Sequence, residues 1–259
     1  MRPVALVTGS AKRLGRAIAI DLAAHGHDIA VHYRGSPVQA QAVVEEIQRL
    51  GVHGQAFAAD LADEAATTAL LPAVIQHFGR VDAVVNNASL FEFDDVASFS
   101  LACMERHWRA NTAPAVLLAR GLHAHLETAQ RRGCVVNLLD QKLWNPNPDY
   151  FSYTLSKAAL EAATTLLAQA LAPSLRVCGV APGVTLASGP MDEAAFQAAH
   201  RLTPLQRSST PEDIAHAVRF LIESPAITGT TLLVDGGQHL SAQPRDVMFL
   251  SPAAPTHKD

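Results

Sequence analysis

Cysteine is scarce in this chain. Cys103, Cys134 and Cys178 lie far apart in 259 residues, with no CxxC and no metal-ligand spacing. So small and odd a set suits buried, reduced thiols in a cytoplasmic protein better than a disulfide framework. Aromatics are only 5% of residues, no basic run is interleaved with them, and the net charge is −4. Nothing there favours nucleic acid as a partner. No apolar run is long enough to span a bilayer. No secretion signal is visible either, because residues 4–7 already read as a buried strand. Twelve histidines are present, yet their arrangement gives no metal site. His123 and His125 are two apart on a predicted helix and face different ways. His25 and His27 flank Gly26 at a helix end, a common place for histidine.

Hydrophobic residues make up 49% of the chain, enough for a sizeable core. Strand and helix alternate from end to end. Strands are expected at 4–7, 28–33, 55–59, 81–86, 133–139, 175–180 and 231–234. Helices are expected from Leu14 to Gly26, then at 37–50, 63–78, 104–126, 152–171 and 211–223. The strands are apolar throughout rather than alternating, which implies a parallel sheet covered on both faces. Right-handed crossovers then give an α/β, Rossmann-like doubly wound sheet of about seven strands in one domain. The domain is expected over 1–240. Residues 183–204 depart from the pattern and read as a substrate lid, and 241–259 as a flexible or partner-bound tail.

The segment Thr8-Gly9-Ser10-Ala11-Lys12-Arg13-Leu14-Gly15 joins the first strand to the first helix. A tight turn and a helix N-terminus there offer backbone amides to an anion. The second strand ends His32-Tyr33-Arg34-Gly35-Ser36, with no acid. An NAD user usually places an acid at that point to bond the ribose hydroxyls. Arg34 with Lys12 or Arg13 can bracket a 2′-phosphate, and Ser36 can add a hydroxyl. Two such charge-assisted bonds at ~1.5 kcal/mol each imply on the order of a hundredfold preference for NADP.

Tyr153 and Lys157 stand at i and i+4 on a predicted helix, on one face. An ammonium ~4 Å from a phenol contributes about 4 kcal/mol at an effective dielectric of ~20, which would bring the tyrosine from ~10 to near 7. Asp140 lies 13 residues before Tyr153 (153 − 140). Ionised, it would oppose a phenolate. It therefore either carries a proton for part of the cycle, donating it or sharing it with Tyr153, or accepts a hydrogen bond from Tyr153 or a substrate amino group.

These motifs resemble the short-chain dehydrogenase/reductase family, whose signature is Tyr-x-x-x-Lys. In most members a serine stands where this chain has Asp140, and a glycine where it has Arg13. The two departures resemble the pteridine reductase branch. The resemblance implies NADPH as cofactor, bound by Gly9, Lys12, Arg13, Leu14, His32, Tyr33, Arg34 and Ser36. Asp60 and Leu61 would border the adenine, and Asn86, Asn87, Ala88 and Ser89 are similar to the family's Asn-Asn-Ala-Gly, with Ser89 in place of the glycine. Pro182, Gly183 and Thr185 would contact the nicotinamide amide, and Tyr153 and Lys157 would complete the cofactor site. Asn111 resembles the asparagine that supports the lysine through a water. Phe91 would stack on a pterin lying against Arg13, Ser89, Asp140 and Tyr153. Trp144 and Tyr150 are further candidates for the same pocket, and Arg245 for reaching a neighbouring subunit.

The expected activity is reduction of a pterin or folate C=N bond. The alternative within the family is a carbonyl substrate such as a 3-oxoacyl thioester, sugar or steroid. A binding protein without turnover is disfavoured by the intact Tyr153 and Lys157. Relatives are commonly homotetramers packed through the 104–126 and 152–171 helices, and alanines at 158, 159, 162, 163 and 168 would allow close packing there.

Overall fold

The computed structural model describes residues 2–187 and 193–249, with the side chains of 193–195 left undescribed. One seven-stranded parallel sheet runs through it. The strands are β1 (Val4–Val7), β2 (Asp28–Tyr33), β3 (Gly54–Ala58), β4 (Ala83–Asn86), β5 (Gly133–Leu138), β6 (Leu175–Pro182) and β7 (Thr231–Val234). Their order is β3-β2-β1-β4-β5-β6-β7, so the winding reverses between β1 and β4. In such sheets ligands bind beyond the carboxyl ends of the strands at this reversal.

The helices are α1 (Arg13–Ala24), α2 (Pro37–Arg49), α3 (Glu64–Phe78), α4 (Leu101–His107), α5 (Ala113–Ala129), α6 (Phe151–Ala170), α7 (Glu193–Arg201) and α8 (Pro211–Glu223). Successive strand residues serve opposite faces. Ala5 and Val7 join Ile18, Leu22, Val43, Ile47, Ile214 and Leu221 on one side. Val4 and Leu6 join Leu70, Val74, Leu118 and Leu122 on the other. Local chemistry sets the helix ends. Asp63 accepts the Ala66 N–H at 2.8 Å, and Gly79 closes α3 at φ 76°. Thr210 and Asp213 form a reciprocal capping box on α8.

One expectation needs correction. The predicted helix at 104–126 is not continuous, because a five-residue π turn, Trp108–Thr112, separates α4 from α5. A 3-10 turn at Gln238–Leu240 precedes the expected tail, and a second at Val247–Phe249 lies in its described part. The expected lid at 183–204 falls partly outside the described residues, and within them α7 covers much of it. The rest of the tail, 250–259, lies outside them as well.

Candidate active site

The first glycine loop is held from three sides. Gly9 takes φ 64°, and its N–H donates to His32 Nδ1 at 2.9 Å. His32 Nε2 lies 3.1 Å from the Ala59 carbonyl, so the ring bridges the ends of β1 and β3. Nδ1 must then be unprotonated and Nε2 protonated. Burial lowers the His32 pKa below 6.5, although the Ala59 bond opposes this. Thr8 Oγ1 accepts the N–H groups of Asn87 and Ala88 at 2.9 and 3.0 Å. Asn87 Nδ2 donates back to the Thr8 carbonyl at 2.9 Å. Gly15 is required by packing, since a Cβ there would sit 2.4 Å from the Gly9 oxygen and 2.5 Å from Asn87 Nδ2. Arg13 stands at φ 53°, a backbone region that favours glycine, and donates from Nη2 to the Ala187 carbonyl at 2.8 Å.

Two adjoining cavities meet at this loop and share Arg13, Leu14, Asn87 and Ser89. The cavity over β1 to β3 is lined by Gly9, His32, Asp60, Leu61 and Ala88. Asp60 Oδ1 accepts the Ala62 N–H at 3.0 Å, which shapes that wall. A small niche beside it is lined by Lys12, Tyr33, Arg34 and Ser36. Lys12 and Arg34 are exposed there, and Ser36 opens α2. Two cations and a helix N-terminus fit a phosphate, and no carboxylate lines the niche to compete. The cradle therefore fits a dinucleotide carrying an extra phosphate on its adenosine ribose.

The second cavity holds the chemistry. Asp140 follows β5 in an extended conformation. Its Oδ1 accepts the Lys142 N–H at 2.9 Å, and its Oδ2 accepts the Tyr153 hydroxyl at 2.8 Å. Burial raises the Asp140 pKa, while the bonds from Lys142 and Tyr153 hold it back. Tyr153 comes from α6, whose first turn is clamped by Asp94. That buried carboxylate accepts the Ser152 N–H at 2.8 Å and also the Ser152 hydroxyl. It places negative charge at the helix N-terminus and ties α6 to the loop after β4.

The expectation that Lys157 draws Tyr153 down toward 7 is not met. Burial and the adjacent Asp140 push the tyrosine well above 10. Lys157 Nζ donates to the Leu138 carbonyl at 2.7 Å and lies 5.8 Å from the Tyr153 ring centroid. The tyrosine hydroxyl points to Asp140 instead. Burial also lowers the Lys157 pKa to about 8, with Asp140 partly opposing it.

Asn111 sits in the π turn. Its Oδ1 accepts Leu90 N–H at 2.6 Å and Ser89 Oγ at 3.2 Å. Its Nδ2 donates to Ser156 Oγ at 2.9 Å, and Ser156 bonds in turn to the Tyr153 carbonyl. Asn111 thus links the Ser89 loop to the Tyr153 helix, and its own direct bonds bypass Lys157.

Pro182, Gly183 and Thr185 line the cavity, with the Thr185 hydroxyl at 3.0 Å from the Gly183 carbonyl and 2.7 Å from Ser209 Oγ. Phe91 also lines it and is 41% exposed. One face of Phe91 stacks on Tyr150 at 4.1 Å, and the ring meets Tyr153 edge-on at 4.7 Å. Tyr150 therefore backs the pocket through Phe91, whereas Trp144 is not among the residues lining it.

Sequence reasoning missed Gln141, Lys142, Asp246 and Met248, which also line this cavity. For Lys142 the sole signal was its position two residues after Asp140. For the tail residues no pattern pointed there. Arg245, expected to reach a neighbour, binds Asp149 of its own chain.

Among the described residues, no group of three or more His, Cys, Asp or Glu is placed to hold a metal. No described helix is long and apolar enough to cross a membrane.

The family model described as enoyl-(acyl carrier protein) reductase matches residues 9–239. The 3-oxoacyl-[acyl-carrier-protein] reductase FabG of Staphylococcus aureus is 33% identical, over 93% of this chain and 99% of that protein. The L-rhamnose 1-dehydrogenase (NAD(P)(+)) of a Sphingomonas species is 31% identical, over 92% and 96%. Among solved structures, FolM alternative dihydrofolate reductase 1 from Brucella suis, in complex with NADP, superposes with a TM-score of 0.88. It is 40% identical and covers 93% of this chain and 96% of that one. The Brucella canis FolM, also with NADP, gives 0.86 and 38% identity, over 92% and 95%. With its sheet order, its glycine loop and its Tyr153–Lys157 pair, the chain belongs to the short-chain dehydrogenase/reductase family.

Proposed function

We propose that the chain is an NADPH-dependent reductase of pterins or folates that acts on a ring C=N bond. The observation carrying this reading is the 2.8 Å bond from the Tyr153 hydroxyl to a partly buried Asp140. A carboxylic acid can hand a proton to a ring nitrogen, which the serine usual at this position cannot easily do. The NADP in both FolM structures supports the cofactor. Lys12, Arg34 and Ser36 would hold its 2′-phosphate, and the Gly9–Gly15 loop its pyrophosphate. When bound, NADPH supplies the hydride, which goes to a ring carbon.

Asp140 would hold a proton, because burial disfavours its charged form. As that proton passes to the adjacent nitrogen, the Tyr153 hydroxyl and the Lys142 N–H stabilise the carboxylate left behind. Tyr153 acts here as a hydrogen-bond donor to Asp140 that keeps its own proton, not as a phenolate. Lys157 carries positive charge beside both groups, and Asn111 fixes the Ser89 loop against α6. Phe91 offers the edge of a flat slot in which a heteroaromatic ring would stack.

A second reading, reduction of a carbonyl substrate, is favoured by the 33% identity to the Staphylococcus aureus 3-oxoacyl reductase. We also propose a homotetramer packed through α4, α5 and α6, in the cytoplasm. Asp140→Ser separates the two activities. It should abolish turnover of dihydrobiopterin and dihydrofolate while leaving NADPH binding nearly unchanged. Undiminished pterin turnover in the variant would refute the role given to Asp140. Ketone turnover by a wild type that ignores pterins would select the second reading.

A further inference from the structure

The segment 241–249 forms one wall of the catalytic cavity. Asp246, Val247 and Met248 line the same space as Phe91, Asp140 and Tyr153. Two crossed ion pairs pin this wall to the stretch after Asp140. The Arg245 guanidinium grips Asp149, with Nε at 2.9 Å from both carboxylate oxygens and Nη2 at 2.9 Å. Lys142 Nζ lies 3.3 Å from Asp246 Oδ2 and donates to the Asp149 carbonyl at 2.6 Å. The Asp246 N–H adds a bond to Asp149 Oδ2 at 2.7 Å. Lys142 and Asp149 are almost wholly buried, with 4% and 3% of their side chains exposed. The Lys142–Asp246 pair, with little access to water on either side, is screened far less than a surface pair, whereas Arg245 is half-exposed. Around them, Asn145 Nδ2 donates to the Ser241 carbonyl at 2.8 Å, and the Tyr150 hydroxyl to Met248 Sδ at 3.0 Å.

The pinning residues Arg245 and Asp246 lie past residue 239, the last one matched by the family model. We propose that 241–249 is a substrate-selecting wall, which admits a compact flat ring and turns away a substrate carried on a long flexible arm, such as an acyl thioester. The inference deepens the pterin reading and rests on it for the nature of the ring. A ring bearing amino groups would find acceptor oxygens on Asp246, beside the Asp140 that gives the proton. An apolar arm crossing the wall would have to strip water from Asp246 without replacing its hydrogen bonds.

The test uses the full chain with Arg245→Ala, Asp246→Ala and the conservative Arg245→Lys. Each is assayed with NADPH against dihydrobiopterin, ethyl acetoacetate and the acetoacetyl thioester of pantetheine. Releasing the wall should raise kcat/KM for the thioester relative to ethyl acetoacetate about tenfold, chiefly through KM. The NADPH Kd should stay unchanged, and Arg245→Lys should fall between wild type and Arg245→Ala. Arg245 is half-exposed, so its truncation opens no cavity, and the urea midpoint of each variant shows how far loss of the guanidinium from the buried Asp149 costs stability. An unchanged thioester-to-ketone ratio in both alanine variants, with faster hydrogen exchange across 241–249, would overturn the wall. A wild type that reduces ethyl acetoacetate but not dihydrobiopterin would sink the pterin reading alone, because the ratio still measures the wall.

Discussion

The Gly9 N–H donates to His32 Nδ1 at 2.9 Å, so the cofactor loop depends on a neutral imidazole. Protonation would turn Nδ1 into a second donor facing the first. Burial holds the His32 pKa below 6.5 in the folded chain. The unfolded chain therefore takes up the proton first as pH falls, and stability drops from 6.5 down through the lower folded value. NADPH binding should weaken over the same acid window. His32→Phe, which leaves the Gly9 N–H without its acceptor, should raise the NADPH Kd about tenfold at pH 7.5. Fluorescence titration of NADPH at pH 5 and 7.5 checks both, and an unaltered Kd in the variant would contradict the link.

Asp140 has the opposite sign. Its folded pKa lies above 3.8, so the acid form survives to higher pH in the folded chain. That form declines as pH rises through the folded value, and pterin turnover should decline with it. Asp140→Asn should flatten this limb and cut kcat about a hundredfold or more, in line with loss of a positioned general acid. A wild-type rate that is level or climbs from pH 5 to 7 would count against a protonated Asp140.

Lys157 is buried with its folded pKa at about 8, against 10.5 ordinarily. Between those values the unfolded chain binds the extra proton, so stability rises with pH across that window. The difference corresponds to ~3 kcal/mol. Lys157→Met should abolish turnover, and its stability advantage or deficit relative to wild type should shift by about that amount between pH 7 and pH 10.5. Urea unfolding of both proteins at the two pH values measures it, and a constant gap would mean the ammonium is better solvated than its burial implies.

Arg34 lines the phosphate niche with Lys12 and Ser36. Replacing it by aspartate restores the acid typical of NAD users and repels a phosphate. Arg34→Asp should reverse cofactor choice, moving the NADPH-to-NADH ratio of kcat/KM by roughly a thousandfold. Steady-state assays with both cofactors decide this, and a preserved preference for NADPH would locate the selectivity elsewhere.

Gly15 packs against the Gly9 carbonyl and Asn87, with 2.4 Å left for a Cβ. Gly15→Ala has to displace backbone rather than a side-chain tip. A loss of about 1–3 kcal/mol in stability is expected, with NADPH binding impaired further. Thermal unfolding with and without NADPH would register both, and a variant as stable as wild type would show that the loop yields more easily than its packing suggests.

Much of the scaffold was legible because parallel strands buried on both faces read as continuous apolar runs. Val4–Val7 and Thr231–Val234 were bounded without error on that basis. Caps such as Asp63 and Gly79 likewise announced the ends of α3. The approach of Asp140 to Tyr153 was legible from residue type and family pattern. The charge state of Tyr153 was not, because it depends on burial and on which way Lys157 points. Lys157 chose the Leu138 carbonyl. The tail was opaque for a related reason. Its order comes from partners such as Asp149, 96 residues from Arg245 in sequence, and no local period records such contacts.

The π turn at Trp108–Thr112 was equally invisible, since its apolar spacing differs from a plain helix by one residue. That residue has a mechanical meaning. Deleting Ala110 would let the chain close into an ordinary α-helix and remove the wide turn that presents Asn111. The side chain of Asn111 could then no longer reach Leu90 and Ser156 together. A single-codon loss, far from any reacting atom, would uncouple the floor of the pocket from the helix that carries its phenol.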